Sequence, residues 1–181
     1  MRRVRICALI ATTVFPAPAV SPVLTVVLDF RGPHSARSLA EMKQEVETVL
    51  KPSGFRFDWR TRAEAGAASF DNLVVVRFNG NCVAEPVGYL YDERGPLAFT
   101  HKTSGEVQPY SEVACDKVAA AVRSAMTGSD YANADRLLGR ALGRVVAHEM
   151  IHMLAKSGAH AESGVGRAAL SGKRLIAPVP E

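Results

Sequence analysis

Apolar and polar positions recur along this chain in patterns that lay out most of a domain. Residues 23–30 (V-L-T-V-V-L-D-F) are a β-branched apolar run and predict a first strand. Over residues 38–50, Leu39, Met42, Val46 and Val49-Leu50 recur at helical spacing, and Pro52 with Gly54 stops the helix. Residues 55–59 alternate as a second strand, with Phe55 and Phe57 to one side and Arg56 and Asp58 to the other. Residues 73–78 form a third, buried strand ended by Asn79-Gly80-Asn81. Gly88, Gly95 and Gly105 punctuate residues 86–110, which hold one or two short strands between turns. Val113, Val118, Ala121 and Val122 put residues 111–126 on a helix. The order strand–helix–strand–strand–strand–helix–helix is that of an α+β domain with one twisted mixed sheet.

The last helix is the longest. Ser129 or Asp130 can cap its start, Leu138, Leu142 and Val146 recur at helical spacing, and Ser157-Gly158 closes it as a C-terminal glycine cap. Gly139, Gly143 and Ala147 form a row of small residues. Each glycine costs about 1 kcal/mol against alanine, so a close approach by another element is expected there. Arg136, Arg140 and Arg144 form an i, i+4 row whose simplest reading is a solvated face.

That arginine row continues into His148 and His152, which with Glu149 spell H-E-x-x-H. Histidines four apart lie one above the other on a helix face, so both imidazoles can reach one metal ion. Zinc suits them, since neutral imidazole binds it at about 2.0–2.1 Å in tetrahedral geometry. Glu149, from the same turn, is poorly placed as a third ligand but well placed to take a proton from a water activated by the metal. Val145, Val146, Ala147, Met150, Ile151, Met153 and Leu154 make every other position of this window apolar.

With those flanks the segment closely resembles the zincin superfamily of zinc metallopeptidases. The resemblance implies a compact zincin-like domain, with a sheet covering the active-site helix and an edge strand bordering the cleft. It implies an endopeptidase using Zn2+ on a peptide or protein substrate. The strand near Leu97-Ala98-Phe99-Thr100 would then pair with the substrate backbone. A third ligand would come from downstream of the helix, where His160, Glu162 and Glu181 are the only candidates. His160 is preferred because Gly158 lets the chain turn back; His34, His101 and Glu162 remain alternatives. The metzincin branch fits only in part: Ala155 replaces its glycine, Gly158 its third histidine, and no methionine follows Met153. His101, Tyr110 and Arg167 are weak candidates for stabilising a developing oxyanion. The competing reading is a non-catalytic exported binding or structural module with a closed structural zinc site.

Composition changes this picture mainly at the N-terminus. A chain of 181 residues suits one domain, here residues 20–181. Residues 1–19 combine a basic start, a short apolar run and Ala17-Pro18-Ala19, and read as a signal peptide for secretion or periplasmic export. The runner-up is a retained N-terminal anchor with the domain outside. Without Arg2, Arg3 and Arg5, the 22 basic residues fall to 19 against 18 acidic. Near-neutrality gives no support for nucleic-acid binding or a stable membrane association. Loss of Cys7 leaves Cys82 and Cys115, an even pair expected to bridge and to contribute about 3–4 kcal/mol through loop closure. Oligomeric state leaves no mark on the sequence.

Overall fold

The computed structural model describes residues 21–85 and 95–179. The N-terminal segment read as a signal peptide, the whole of residues 86–94 with Gly88, and the candidate ligand Glu181 lie outside the described residues. Strand β1 (Val23–Phe30) occupies the expected run and pairs in parallel with β2 (Arg56–Thr61) on one side and β3 (Leu73–Asn79) on the other. β3 pairs in parallel with β5 (Glu106–Ala114), and β4 (Ala98–Thr103) closes the sheet as an antiparallel edge. The order β2-β1-β3-β5-β4 makes a five-stranded mixed sheet in an α+β domain.

Strand alternation sorts the two faces. Leu24, Val26 and Leu28 of β1 and Val74, Val76 and Phe78 of β3 turn inward, where burial excludes water from their side chains. On this side lie α1 (Ala36–Val49), α3 (Cys115–Ala125), α4 (Ala134–Ala155) and the short α5 (Gly172–Ile176), contributing Met42, Val46, Val118, Val122, Leu138, Leu142, Val146, Met150 and Leu175. A single turn, α2 (Arg62–Ala65), follows β2 and is fixed by a reciprocal Thr61–Glu64 capping box. The opposite sheet face is polar. There Asp29, 4% exposed, is neutralised by Arg31 at 3.0 Å, Arg77 at 2.9 Å and Arg62 at 3.7 Å.

The predicted glycine row marks the closest helix contact. A Cβ on Gly139 would lie 2.5 Å from the Ser38 carbonyl, and one on Gly143 would lie 2.6 Å from Glu45 Cβ, so only glycine lets α1 sit this close to α4.

Four local expectations are corrected. Residues 111–114 extend β5 instead of opening a helix, because ladder bonds to β3 and β4 on both sides outweigh four residues of helical pattern. α4 begins at Ala134, not at Ser129 or Asp130: Thr127 and Asp130 form a reciprocal capping box on a preceding 3-10 turn, Gly128–Asn133. It ends on Lys156, which takes the left-handed conformation (φ 48°) assigned to Gly158. A Cβ at Gly158 would meet only the flexible end of the Lys102 side chain, which can move aside, so the position does not demand glycine.

The fourth correction concerns the arginine row, of which only Arg136 is exposed. Arg144 is 1% exposed; its Nε donates to Glu45 Oε1 at 2.7 Å, and its terminal nitrogens donate to the carbonyls of Arg174 and Ala177. Arg140 donates to the Ile176 carbonyl at 3.0 Å and faces Glu41. These two side chains tie α1, α4 and the segment around α5 together.

Candidate metal centre

The centre is built on the last two turns of α4, the helix that packs on α1 through Gly139 and Gly143 and meets β4 at Glu149. The four-residue spacing sets His148 beside His152, as helix geometry requires. His148 Nδ1 meets the Val165 carbonyl at 2.8 Å, and His152 Nδ1 meets the Ser157 carbonyl at 2.8 Å. A carbonyl only accepts, so each Nδ1 carries the hydrogen and each Nε2 presents a lone pair. Those two Nε2 atoms face one another at 3.0 Å. Two lone pairs held this close repel unless a proton or a metal ion lies between or beside them.

His160 completes the group. The chain leaves α4 through the left-handed Lys156, turns at Gly158, and returns the third ring to 4.9 Å from His152 and 5.3 Å from His148, centroid to centroid. One ligand atom from each of the three residues lies within 4.8 Å of the others. A tetrahedral ion with bonds of about 2.0–2.1 Å needs nitrogen separations of about 3.3–3.4 Å, which small ring rotations supply. The donor set therefore fits a metal ion. The loop carrying His160 is closed by Ala161 N–H donating to the Gly166 carbonyl at 2.8 Å, one residue beyond the carbonyl that orients His148. Although on the exposed side, His160 is crowded by the other rings. Local desolvation, then His152 and His148, hold its imidazole below the ordinary histidine value and favour the neutral, ligating form.

Comparison with protein-family models, curated proteins and solved structures returns no match. The chemistry of the residues must therefore carry the reading.

Glu149 is 4% exposed and points toward the edge strand. Thr100 Oγ1 donates to its Oε2 at 2.6 Å, leaving Oε1 with no hydrogen-bond partner among the described residues. Thr100 faces α4 because strand alternation sends Phe99 and His101 to the other sheet face. Nothing local in the sequence announced this contact; the one available signal was the alternation of residues 98–101.

A cavity of about 230 Å³ opens against His148 and Glu149, walled by Pro96, Leu97, Val145, Ala169 and Leu170 with Arg167 among them. The other sequence candidates lie apart from the three histidines. His34 stacks on Phe30 at 4.0 Å, and Glu162 is exposed outside the cluster. His101 and Tyr110 turn to the polar sheet face, where both meet Glu112 Oε1, at 3.1 and 3.0 Å. Burial pushes the Glu112 carboxyl up, but hydrogen bonds from Asn79, Tyr110 and His101 outweigh it and hold the group below the ordinary glutamate value. The disulfide expected between Cys82 and Cys115 is formed, joining the end of β3 to the start of α3.

Proposed function

We propose that this chain is an exported zinc-dependent peptidase of zincin-like design, acting on the backbone of peptide or protein substrates. The observation that carries the reading is the pair of carbonyl-anchored imidazoles facing each other at 3.0 Å, with His160 beside them and a buried carboxylate from the same helix. His148, His152 and His160 would hold the metal, and zinc is the ion that three imidazoles with an open fourth position suit best. A zinc ion so held supplies Lewis-acid polarisation of the scissile carbonyl and lowers the pKa of an attacking water.

The remaining work belongs to the chain. Glu149 accepts the proton of the attacking water and returns it to the leaving amine. Thr100 fixes Oε2, so that Oε1 is the atom left for proton transfer. An extended substrate adds to the outer edge of β4, whose inner edge is committed to β5. Three histidine donors without a fourth among the described residues, and a carboxylate with no ligating role beside them, favour this reading over a closed structural site.

Export is supported by the disulfide, which belongs in an oxidising compartment. No helix among the described residues is long and apolar enough to cross a membrane.

Metal content after dialysis, followed by peptide hydrolysis, tests the proposal. Close to one zinc per chain is expected, with Glu149→Gln keeping the zinc and losing hydrolysis. Chains that retain no zinc, or a fully active Glu149→Gln, overturn it. His160→Ala should weaken zinc affinity strongly; unchanged affinity would remove His160 from the ligand set.

A further inference from the structure

The cavity beside the histidines has one feature that a purely apolar subsite does not need. Arg167 is half-buried in its wall, and its side chain has no hydrogen bond or ion pair among the described residues. Among the described residues the only acid lining the cavity is Glu149, which forms no ion pair with Arg167 and is already bonded to Thr100. Glu162, five residues before Arg167, is exposed and forms no ion pair with it, and residues 163–179 carry no Asp or Glu. By contrast, Arg140 and Arg144 reach glutamates of α1, and Arg31, Arg62 and Arg77 converge on Asp29. A guanidinium is a rigid, permanently charged fork suited to two parallel bonds with a carboxylate, and partial burial strengthens that attraction.

At about 230 Å³ the cavity is smaller than the roughly 300–1,000 Å³ of a site that encloses a whole ligand. It is the size of a subsite for one residue. His148 and Glu149 form part of its wall, so whatever enters it lies next to the reacting bond.

We infer that this cavity is a carboxylate-accepting subsite: its apolar walls take the hydrocarbon of one substrate residue, and Arg167 pairs with a carboxylate that residue carries. The inference rests on the peptidase reading for its substrate class. The carboxylate has two possible sources, an acidic side chain or the free C-terminus of the substrate. Arg167 is then a specificity residue and takes no part in proton transfer.

Binding separates these claims from catalysis. The full chain carrying Glu149→Gln, loaded with zinc, is titrated with fluorescent peptides matched except at one position, Glu or Gln, each with a free or an amidated C-terminus. Peptides bearing the recognised carboxylate should bind roughly 10- to 100-fold tighter than their neutral partners. Tighter binding of the free-ended peptides whatever the side chain identifies the chain end; tighter binding of the Glu peptides even when amidated identifies the side chain. Adding Arg167→Gln should erase the difference, and Arg167→Glu should turn it toward a Lys-containing amidated peptide. Zinc content, unchanged in both variants, reports that the fold and the metal site are intact. Equal binding of all four peptides by the Arg167-containing protein overturns the inference, as does a preference that survives Arg167→Gln. So does an Arg167→Gln variant of the otherwise native protein that loses turnover equally on charged and neutral peptides, which would put Arg167 on the scissile carbonyl. A carboxylate preference in a protein that cleaves nothing would leave the subsite standing and remove the peptidase reading; cleavage without preference would do the reverse.

Discussion

Replacing Arg144 by methionine tests whether the helix bearing H-E-x-x-H is anchored through its buried face. Arg144 is 1% exposed, and its partner Glu45 keeps only 12% of its side-chain surface. The substitution removes the 2.7 Å bond to Glu45 and leaves that carboxylate under α4 without its cation. It also strips charged donors from the carbonyls of Arg174 and Ala177. Breaking one side of a buried pair costs about 3–5 kcal/mol, whereas an exposed pair is worth about 0–1 kcal/mol. The carbonyls near α5 can regain water, so no further penalty is added for them. Urea unfolding with a shared slope should therefore show about 3–5 kcal/mol lost, or roughly 6–20 °C in Tm for a domain of this size. The double variant Arg144→Met/Glu45→Met removes the stranded charge and should recover more than half of that loss. A single-variant loss below about 1 kcal/mol, or strict additivity of Arg144→Met and Glu45→Met, would refute the argument and return this arginine to solvent.

Three further outcomes follow from other contacts. Thr100→Val removes the donor to Glu149 Oε2 and should lower kcat roughly 10- to 100-fold with zinc content unchanged; Thr100→Ser should restore most of it, and an unchanged kcat in the valine variant would exclude the positioning role. Cys82→Ala/Cys115→Ala opens a loop spanning 33 positions and should cost about 3–4 kcal/mol in chemical denaturation, with no loss showing that the bridge is passive. Glu112 has a folded-state pKa below its ordinary value of 4.5, so it adds stability that is fully present above that value and lost as pH falls through the folded one. Glu112→Gln should flatten that part of the acid limb of a stability–pH curve, and an unaltered limb would show the carboxylate is not linked to folding.

What the sequence disclosed and what it hid divide along the range of the interactions. The placing of His148 beside His152, edge to face, follows from four-residue spacing within one helix, and the run at residues 23–30 declares a strand without outside help. Gly139 and Gly143 announced a close approach, though not its partner, α1. Long-range partnerships had no local signature. Arg140 and Arg144 looked solvated because their acidic partners are Glu41 and Glu45, on a helix about a hundred residues earlier in the chain. Thr100 was invisible as the donor to Glu149 because the contact depends on how edge strand β4 lies over α4. Residues 111–114 were misread for the same reason: their extended form is enforced by two neighbouring strands and not by their own pattern.

The Cys82–Cys115 bridge encloses everything between the third strand and the third helix, including the whole of β4 and β5 and the Gly95–Ala98 lip of the cavity. A single peptide-bond cut anywhere inside that ring cannot release a fragment: the two pieces stay joined, and β5 remains zipped to β3. Such a nicked molecule would migrate as one species until reduced and would keep Thr100 and Glu149 on the same particle. For a protein proposed to work among proteases, its own copies included, the segment that roofs the reaction is also the one that a single cleavage cannot remove.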